Sequence, residues 1–399
     1  MKRILFYYDN FCGEGAKGGT EVATRRIASA LKATGEWEVY NAFRNRLPKE
    51  PDSLYKEVVK LSKTPSKFKD SLVKFLKERE IDVVVNMSRF FRHPLIMDAI
   101  GKSGRDVKIV FMQHFAPGSE KKKGTYRAGY HLLKLNPLNP LYWLRATLYP
   151  LLKLPRTLRW KKIYKRVYDL SDRVVLLSEG YIKSYQRIAE IKENSKFVSI
   201  PNIYDRNEGM DPGNRREWNK EKRVLVLSRM DEVQKRISLA LQVWQLIERE
   251  PDLSDWQLDI VGTGHDMAAI KRLCSGLGLK NVTFHGWQES VPFLKRSAVL
   301  VMTSEYEGLP LSILEARSYG CVPIAYNSYA SLKDVVTDGE TGIIVDEFGD
   351  VDGYAGKLMA LMRDDEKRNR MARNSVSGFE KFSSANIALK WQEMLEQIR

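Results

Sequence analysis

A chain of 399 residues with 43% hydrophobic and 10% aromatic residues is a folded globular protein, too long for one core and sized for two domains. Three scattered cysteines, Cys12, Cys274 and Cys321, exclude a disulfide frame or a zinc-ligand spacing and fit a reducing cytoplasm. The net charge of +16 is lopsided: residues 1–200 carry 40 Lys and Arg against 20 Asp and Glu, while residues 201–399 carry 26 against 30.

The opening run MKRILFYYDN has too short an apolar stretch for a signal peptide and reads as a first strand. No stretch approaches the ~20 apolar residues that span a bilayer. Further strands are expected at Glu36–Asn41, Asp82–Met87, Val107–Gln113, Arg173–Leu177 and Phe197–Ile200. The pattern restarts with Arg223–Leu227, Gln257–Val261, Val282–His285, Ala298–Met302, Val322–Ala325 and Gly342–Val345. Near-continuous apolar strands separated by helices indicate parallel sheets covered on both faces. The expected division is a first domain over 1–203, a polar linker over 204–221, a second domain over 222–383 and a helix over 384–399. This is an α/β protein of two doubly wound domains. Their carboxyl strand ends would face each other across a cleft suited to two substrates, and the last helix can pack back on the first domain.

Residues 121–168 hold 13 basic residues and no acidic one, interleaved with Leu, Trp and Tyr. Pro137, Pro140, Pro150 and Pro155 are expected to prevent one long helix. Such a segment can lay Tyr142, Trp143 and Trp160 into a headgroup layer. Lys121, Lys122, Lys123, Arg156, Arg159, Lys161 and Lys162 would then meet anionic phosphates. The plainer alternative is a helical pair packed on the first domain. Basic charge and aromatics also serve nucleic acid, which the leucine content disfavours.

In the second half, the apolar run AVLVM leads through TSEY into Glu307-Gly308-Leu309-Pro310, and Glu315 follows about a turn inside the next helix. Carboxyl ends of strands are where open α/β sheets bind ligands, and first-turn amides favour an anion there. Two carboxylates in that place suit a phosphorylated, hydroxyl-rich ligand. Arg229 sits at the mouth of the strand RVLVLS, with Lys235 six positions on. Alone, such a pair is ordinarily solvated surface charge; beside Glu307 and Glu315 it can neutralise a diphosphate. Gly262 and Gly264 could let a backbone approach a nucleotide or simply make a tight turn. Trp287 could line a base or pack. Gly18 and Gly19 precede Thr20 at a helix start and could reach phosphates, with Lys17 a weaker addition. His114 ends the strand VKIVFMQ, whereas His265 and His285 read as structural.

The second half resembles the retaining glycosyltransferases of family 4, which have the two-domain, Rossmann-like GT-B fold. The resemblance rests on SRMDEVQKR (228–236), VGTGHD (261–266), VTFHGW (282–287), SEYEGLPLSILEA (304–316), GCVPIA (320–325) and DGETGIIV (338–345), in the family's order. The first half is similar more loosely through GGTE (18–21), MQH (112–114), LLS (176–178) and IPN (200–202), where Ile203 stands in place of the usual Gly. The resemblance implies that Arg229 and Lys235 hold the diphosphate of a nucleotide sugar. It implies that Glu315 meets the ribose, that Glu307 with amides of Gly308, Leu309, Pro310 and Leu311 holds the sugar, and that His114 lies near the reacting centre. Asp350-Val-Asp352 is a DxD, a metal–diphosphate motif in another glycosyltransferase fold, but its position before YAGKLMALM makes it a helix cap.

The expectation is a retaining, metal-independent hexosyltransferase, with no cofactor beyond a nucleotide-sugar co-substrate. The donor would be a UDP-sugar. The acceptor would be a membrane-associated or lipid-linked glycan, as in lipopolysaccharide or capsule synthesis. The enzyme would sit on the inner face of the cytoplasmic membrane with no nucleic-acid partner. A phosphorylase or epimerase of the same fold and a basic nucleic-acid-binding protein are the alternatives.

Overall fold

In the computed structural model of the protein, residues 1–14, 18–45, 52–122, 140–205 and 220–398 are described, with side chains at 121–122, 141–142 and 145–154 excepted. Thirteen strands form two sheets among these residues. The first sheet takes β1 (Lys2–Tyr7), β2 (Trp37–Phe43), β3 (Glu57–Lys60), β4 (Val83–Asn86), β5 (Lys108–Gln113), β6 (Arg173–Leu176) and β7 (Phe197–Ser199). The second takes β8 (Glu221–Leu227), β9 (Gln257–Val261), β10 (Val282–Gly286), β11 (Ser297–Met302), β12 (Val322–Tyr326) and β13 (Ile343–Val345).

Every pairing within both sheets is parallel. The orders are β3-β2-β1-β4-β5-β6-β7 and β10-β9-β8-β11-β12-β13. Each chain path therefore starts mid-sheet, winds outward and reverses, which is the doubly wound topology. The central strands are buried on both faces, as SAVLVM of β11 and VPIAY of β12 require. Sequence reading missed only β3, a four-residue edge strand with Glu57 and Lys60 at its ends.

Residues 1–118, 155–205 and 380–399 form one unit; 119–154 and 206–379 form the other. The last helix, Ser384–Glu396, packs on the helix Gly19–Ala33 with Ile387, Trp391, Met394 and Leu395 buried. Two hydrogen bonds tie its entry to the end of the first half: Tyr204 N donates to Phe382 O, and Ser384 N donates to Asp205. Ile203 is buried, and its carbonyl accepts from Arg26.

The basic segment corrects the expectation of a broken helix. Residues Pro140–Leu170 make one helix with Pro150 and Pro155 inside it. Each internal proline removes an N–H donor, at a cost of roughly 3 kcal/mol. Packing near the C-terminal end offsets this. There Tyr164, Val167 and Tyr168 are buried, and rings of Phe90, Tyr185 and Phe197 stack against Tyr164 and Tyr168. No helix among the described residues is long and apolar enough to cross a membrane.

Candidate functional site

The strand order of the second sheet reverses between β8 and β11, so the crossovers leave that pair on opposite faces and open a crevice at their carboxyl ends. Ser228, Lys235, Thr303 and Ser304 line it. Two loops, 228–236 and 303–307, are fastened across it. Glu305 N donates to Gln234 O at 2.8 Å, and Thr303 Oγ1 donates to the carbonyls of Lys235 (3.0 Å) and Arg236 (2.9 Å). The short helix Glu232–Lys235 is capped by Asp231 and ends at Arg236, which adopts a left-handed conformation with φ 49°. That turn sends the Arg236 guanidinium inward to Glu305 and leaves the preceding Lys235 at the crevice.

Lys235 Nζ lies 2.6 Å from Glu307 Oε1. Gln234 Nε2 donates to Glu307 Oε2 at 3.2 Å and to Tyr306 O at 3.3 Å, while Arg229 Nη2 donates to Gln234 Oε1 at 3.1 Å. Gln234 thereby links Arg229, Lys235 and Glu307 into one polar row. The sequence reading did not pick it out; the turn capped by Asp231 and the bond from Glu305 N to its carbonyl place it there. A carboxylate offers about four lone-pair sites, so Glu307 accepts from several donors at once.

Gly262 and Gly264 sit in a tight turn. A Cβ on Gly262 (φ 133°) would stand 1.9 Å from Ser228 O, and one on Gly264 would stand 2.4 Å from Met230 O. Met230 N donates to Thr263 O at 3.0 Å. Both glycines therefore let the 261–266 turn press against the backbone that carries Arg229. Asp231, His265 and Asp266 bring ligand-type atoms within 4.8 Å of one another. Both carboxylates already accept backbone N–H groups, Asp231 from Gln234 and Asp266 from Glu232, and so close turns. Glu232 itself is buried; desolvation raises its carboxyl pKa to about 7 despite bonds from Ser238.

Gly308, Leu309 and Pro310 are buried and lead into the helix Leu311–Ser318, with Leu311 and Glu315 half-buried on it. Trp287 is 60% exposed after β10. His285 is held by buried Asp259 at 2.7 Å beside Arg223 and Arg296, a structural network. Asp350 accepts from Gly353 N at 2.9 Å and caps the helix Val351–Arg363, as expected of the DxD.

In the first unit, His114 follows β5 with Nε2 buried and without a partner among the described residues; desolvation lowers its pKa to about 4. Gly18 caps the helix Gly19–Ala33, with the Glu21 carboxylate where a Cβ would stand, and Gly19 is open. Lys17 lies outside the described residues. So do Lys123 and the side chains of Lys121, Lys122 and Tyr142. Trp143 and Leu158 are 55% and 50% exposed, and Arg159 and Lys162 are exposed. Lys161 pairs with Glu190, and Arg156 is half-buried. Trp160 departs from its expected place in a headgroup layer: half-buried, it meets Phe90, Phe91 and Tyr164.

Residues 212–377 match the family described as Glycosyl transferases group 1. That stretch is less than half of the chain and takes in the second sheet, from β8 to β13. The chain is 24% identical over 242 residues to the poly(glycerol-phosphate) alpha-glucosyltransferase of Bacillus subtilis, covering 60% of this chain and 35% of that one. A Campylobacter jejuni relative is 24% identical over 241 residues, covering 60% of this chain and 64% of its own. It is named GalNAc-alpha-(1->4)-GalNAc-alpha-(1->3)-diNAcBac-PP-undecaprenol alpha-1,4-N-acetyl-D-galactosaminyltransferase. The chain thus spans about a third of the first relative and just under two thirds of the second. The structure of Anabaena HepE in complex with UDP and glucose superposes with TM-score 0.69 at 14% identity over 100% of both chains. The chain shares the GT-B fold with that protein.

Proposed function

We propose that the protein transfers a hexose or N-acetylhexosamine from a UDP-sugar to a membrane-associated or lipid-linked glycan, with retention and without a metal. The row Arg229–Gln234–Lys235–Glu307 at the switch point carries this reading. A diphosphate arriving there meets two cations, one held at 2.6 Å by a carboxylate that can also accept from sugar hydroxyls. As the bond from the anomeric carbon to the phosphate oxygen breaks, negative charge grows on that oxygen, and fixed cations stabilise it without reorganising. The acceptor hydroxyl bonds to the anomeric carbon and its proton passes to the departing phosphate. Attack on the front face, giving retention, rests on the family resemblance alone.

The Campylobacter jejuni relative's name carries an undecaprenol-linked acceptor, and the Anabaena structure holds UDP, which supports both substrate classes. Exposed Trp143 and Leu158 with Arg159 and Lys162 support docking on an anionic membrane face. A thermal-shift screen of UDP- and GDP-sugars tests the donor: a UDP-sugar raises Tm in the native chain and fails to in Lys235→Ala. A screen in which no nucleotide sugar moves Tm overturns the reading.

A further inference from the structure

His114 sits in a six-residue stretch, from Gln113 to Gly118, that is held at both ends by one atom. The hydroxyl oxygen of Tyr164 accepts from Gln113 Nε2 at 3.1 Å and from Gly118 N at 2.8 Å. Between those two donors the chain runs His114-Phe115-Ala116-Pro117. His114 Nε2 is buried and makes no bond among the described residues, so that nitrogen does not hold the imidazole in place.

Tyr164 is itself immobilised. It is fully buried, its ring lies 4.5 Å from Phe90 and 4.6 Å from Tyr185, and its carbonyl accepts from Tyr185 Oη at 2.9 Å. Gly118 takes φ 87°, a left-handed conformation that favours glycine at this end of the loop. An isolated polar clamp of this kind is costly to leave unmade: without the phenolic oxygen, Gly118 N and the Gln113 amide lose a buried acceptor.

We propose that Tyr164 is a positioning residue for His114, its hydroxyl holding both ends of the loop so that the imidazole is presented in one orientation to the reacting sugar. This rests on the reading that His114 serves the transfer reaction. The tyrosine comes from the C-terminal part of the long basic helix and meets the end of β5 through Gln113. Geometry at a 1 Å scale governs rates when a group must meet a reacting atom, so a loosened loop lowers turnover without touching the nucleotide.

The test uses the full chain and whichever of UDP-glucose, UDP-galactose, UDP-GlcNAc and UDP-GalNAc raises Tm. UDP release is measured as kcat and KM, and UDP affinity by calorimetry. Tyr164→Phe removes one oxygen atom and is expected to lower kcat at least tenfold, with KM and UDP Kd within twofold of native. His114→Ala lowers kcat at least as far. Should Tyr164→Phe fail to fold, Gln113→Met removes one of the two clamp bonds and gives an intermediate loss in kcat. Native kcat in Tyr164→Phe, or in Gln113→Met if that variant stands in, with a collapsed kcat in His114→Ala, overturns the positioning role. A native kcat in His114→Ala instead overturns the catalytic reading of His114 on which it rests.

Discussion

Lys235 and Glu307 form an ion pair at 2.6 Å, with 13% and 9% of their side chains exposed, and Gln234 bonds the other oxygen of the same carboxylate. Sequence separates the pair by 72 positions; the zipper between loops 228–236 and 303–307 joins them. Removing one partner strands the other in a poorly hydrated place. Lys235→Ala is expected to lose about 3 kcal/mol of stability. Its UDP affinity should fall by about tenfold to a hundredfold, the worth of one charged hydrogen-bond donor. Lys235→Met combined with Glu307→Gln should recover most of the stability and none of the affinity. Chemical unfolding and UDP calorimetry on the three chains read this directly; a double variant that binds UDP like native would refute it.

Gly262 is the backbone's own part of the site. Its φ of 133° and the 1.9 Å approach of a Cβ to Ser228 O leave no room for alanine. Gly262→Ala is expected to cost about 3 kcal/mol, combining backbone strain with a steric clash. It should displace the strand end that carries Arg229, so UDP affinity falls alongside Tm. A variant with native Tm would show that the turn adapts.

Asp350 tests whether its motif is a cap. Asp350→Ala should lose about 1 kcal/mol, the usual value of an N-cap. UDP affinity should stay within twofold of native. EDTA should leave UDP release unchanged in both chains. Chelator-sensitive turnover would contradict the metal-independent reading.

The first unit should be acid-labile through its buried histidines. His93 lies between Asn86 and Ser171, and desolvation lowers its pKa to about 3; His114 is lowered to about 4. Unfolded, each protonates below about 6.5. The unfolded chain then binds more protons than the folded one, so stability rises with pH across this window. As pH falls from 6.5 toward 4, His114 contributes a loss of about 1.4 kcal/mol per pH unit. Urea unfolding at pH 6 and pH 5 should therefore show a smaller difference for His114→Asn than for the native chain. Equal differences would mean that the histidine is hydrated.

Most strands were legible because their apolar runs are unbroken and their ends are marked by polar turns, as QLDIV before GTG shows. β3 escaped because two valines between charged residues carry no periodicity. The helix Pro140–Leu170 was misjudged because local proline rules were weighed without the aromatic packing of Tyr164 and Tyr168. Within the site, charged residues at strand mouths announced themselves. Gln234, Arg236 with Glu305, and Tyr164 did not, since each owes its place to a contact 46 to 73 residues away in the chain.

The return of the Ser384–Glu396 helix onto Gly19–Ala33 has a consequence for how this protein is made. The first unit lacks one of its layers until the ribosome has passed residue 396, long after β1 to β7 have emerged. During that interval the groove meant for Ile387, Trp391 and Leu395 is uncovered, while residues 221–379 can complete their own sheet. A fragment ending near residue 205 is expected to be sticky, and a nascent chain stalled there is a natural client for a holdase.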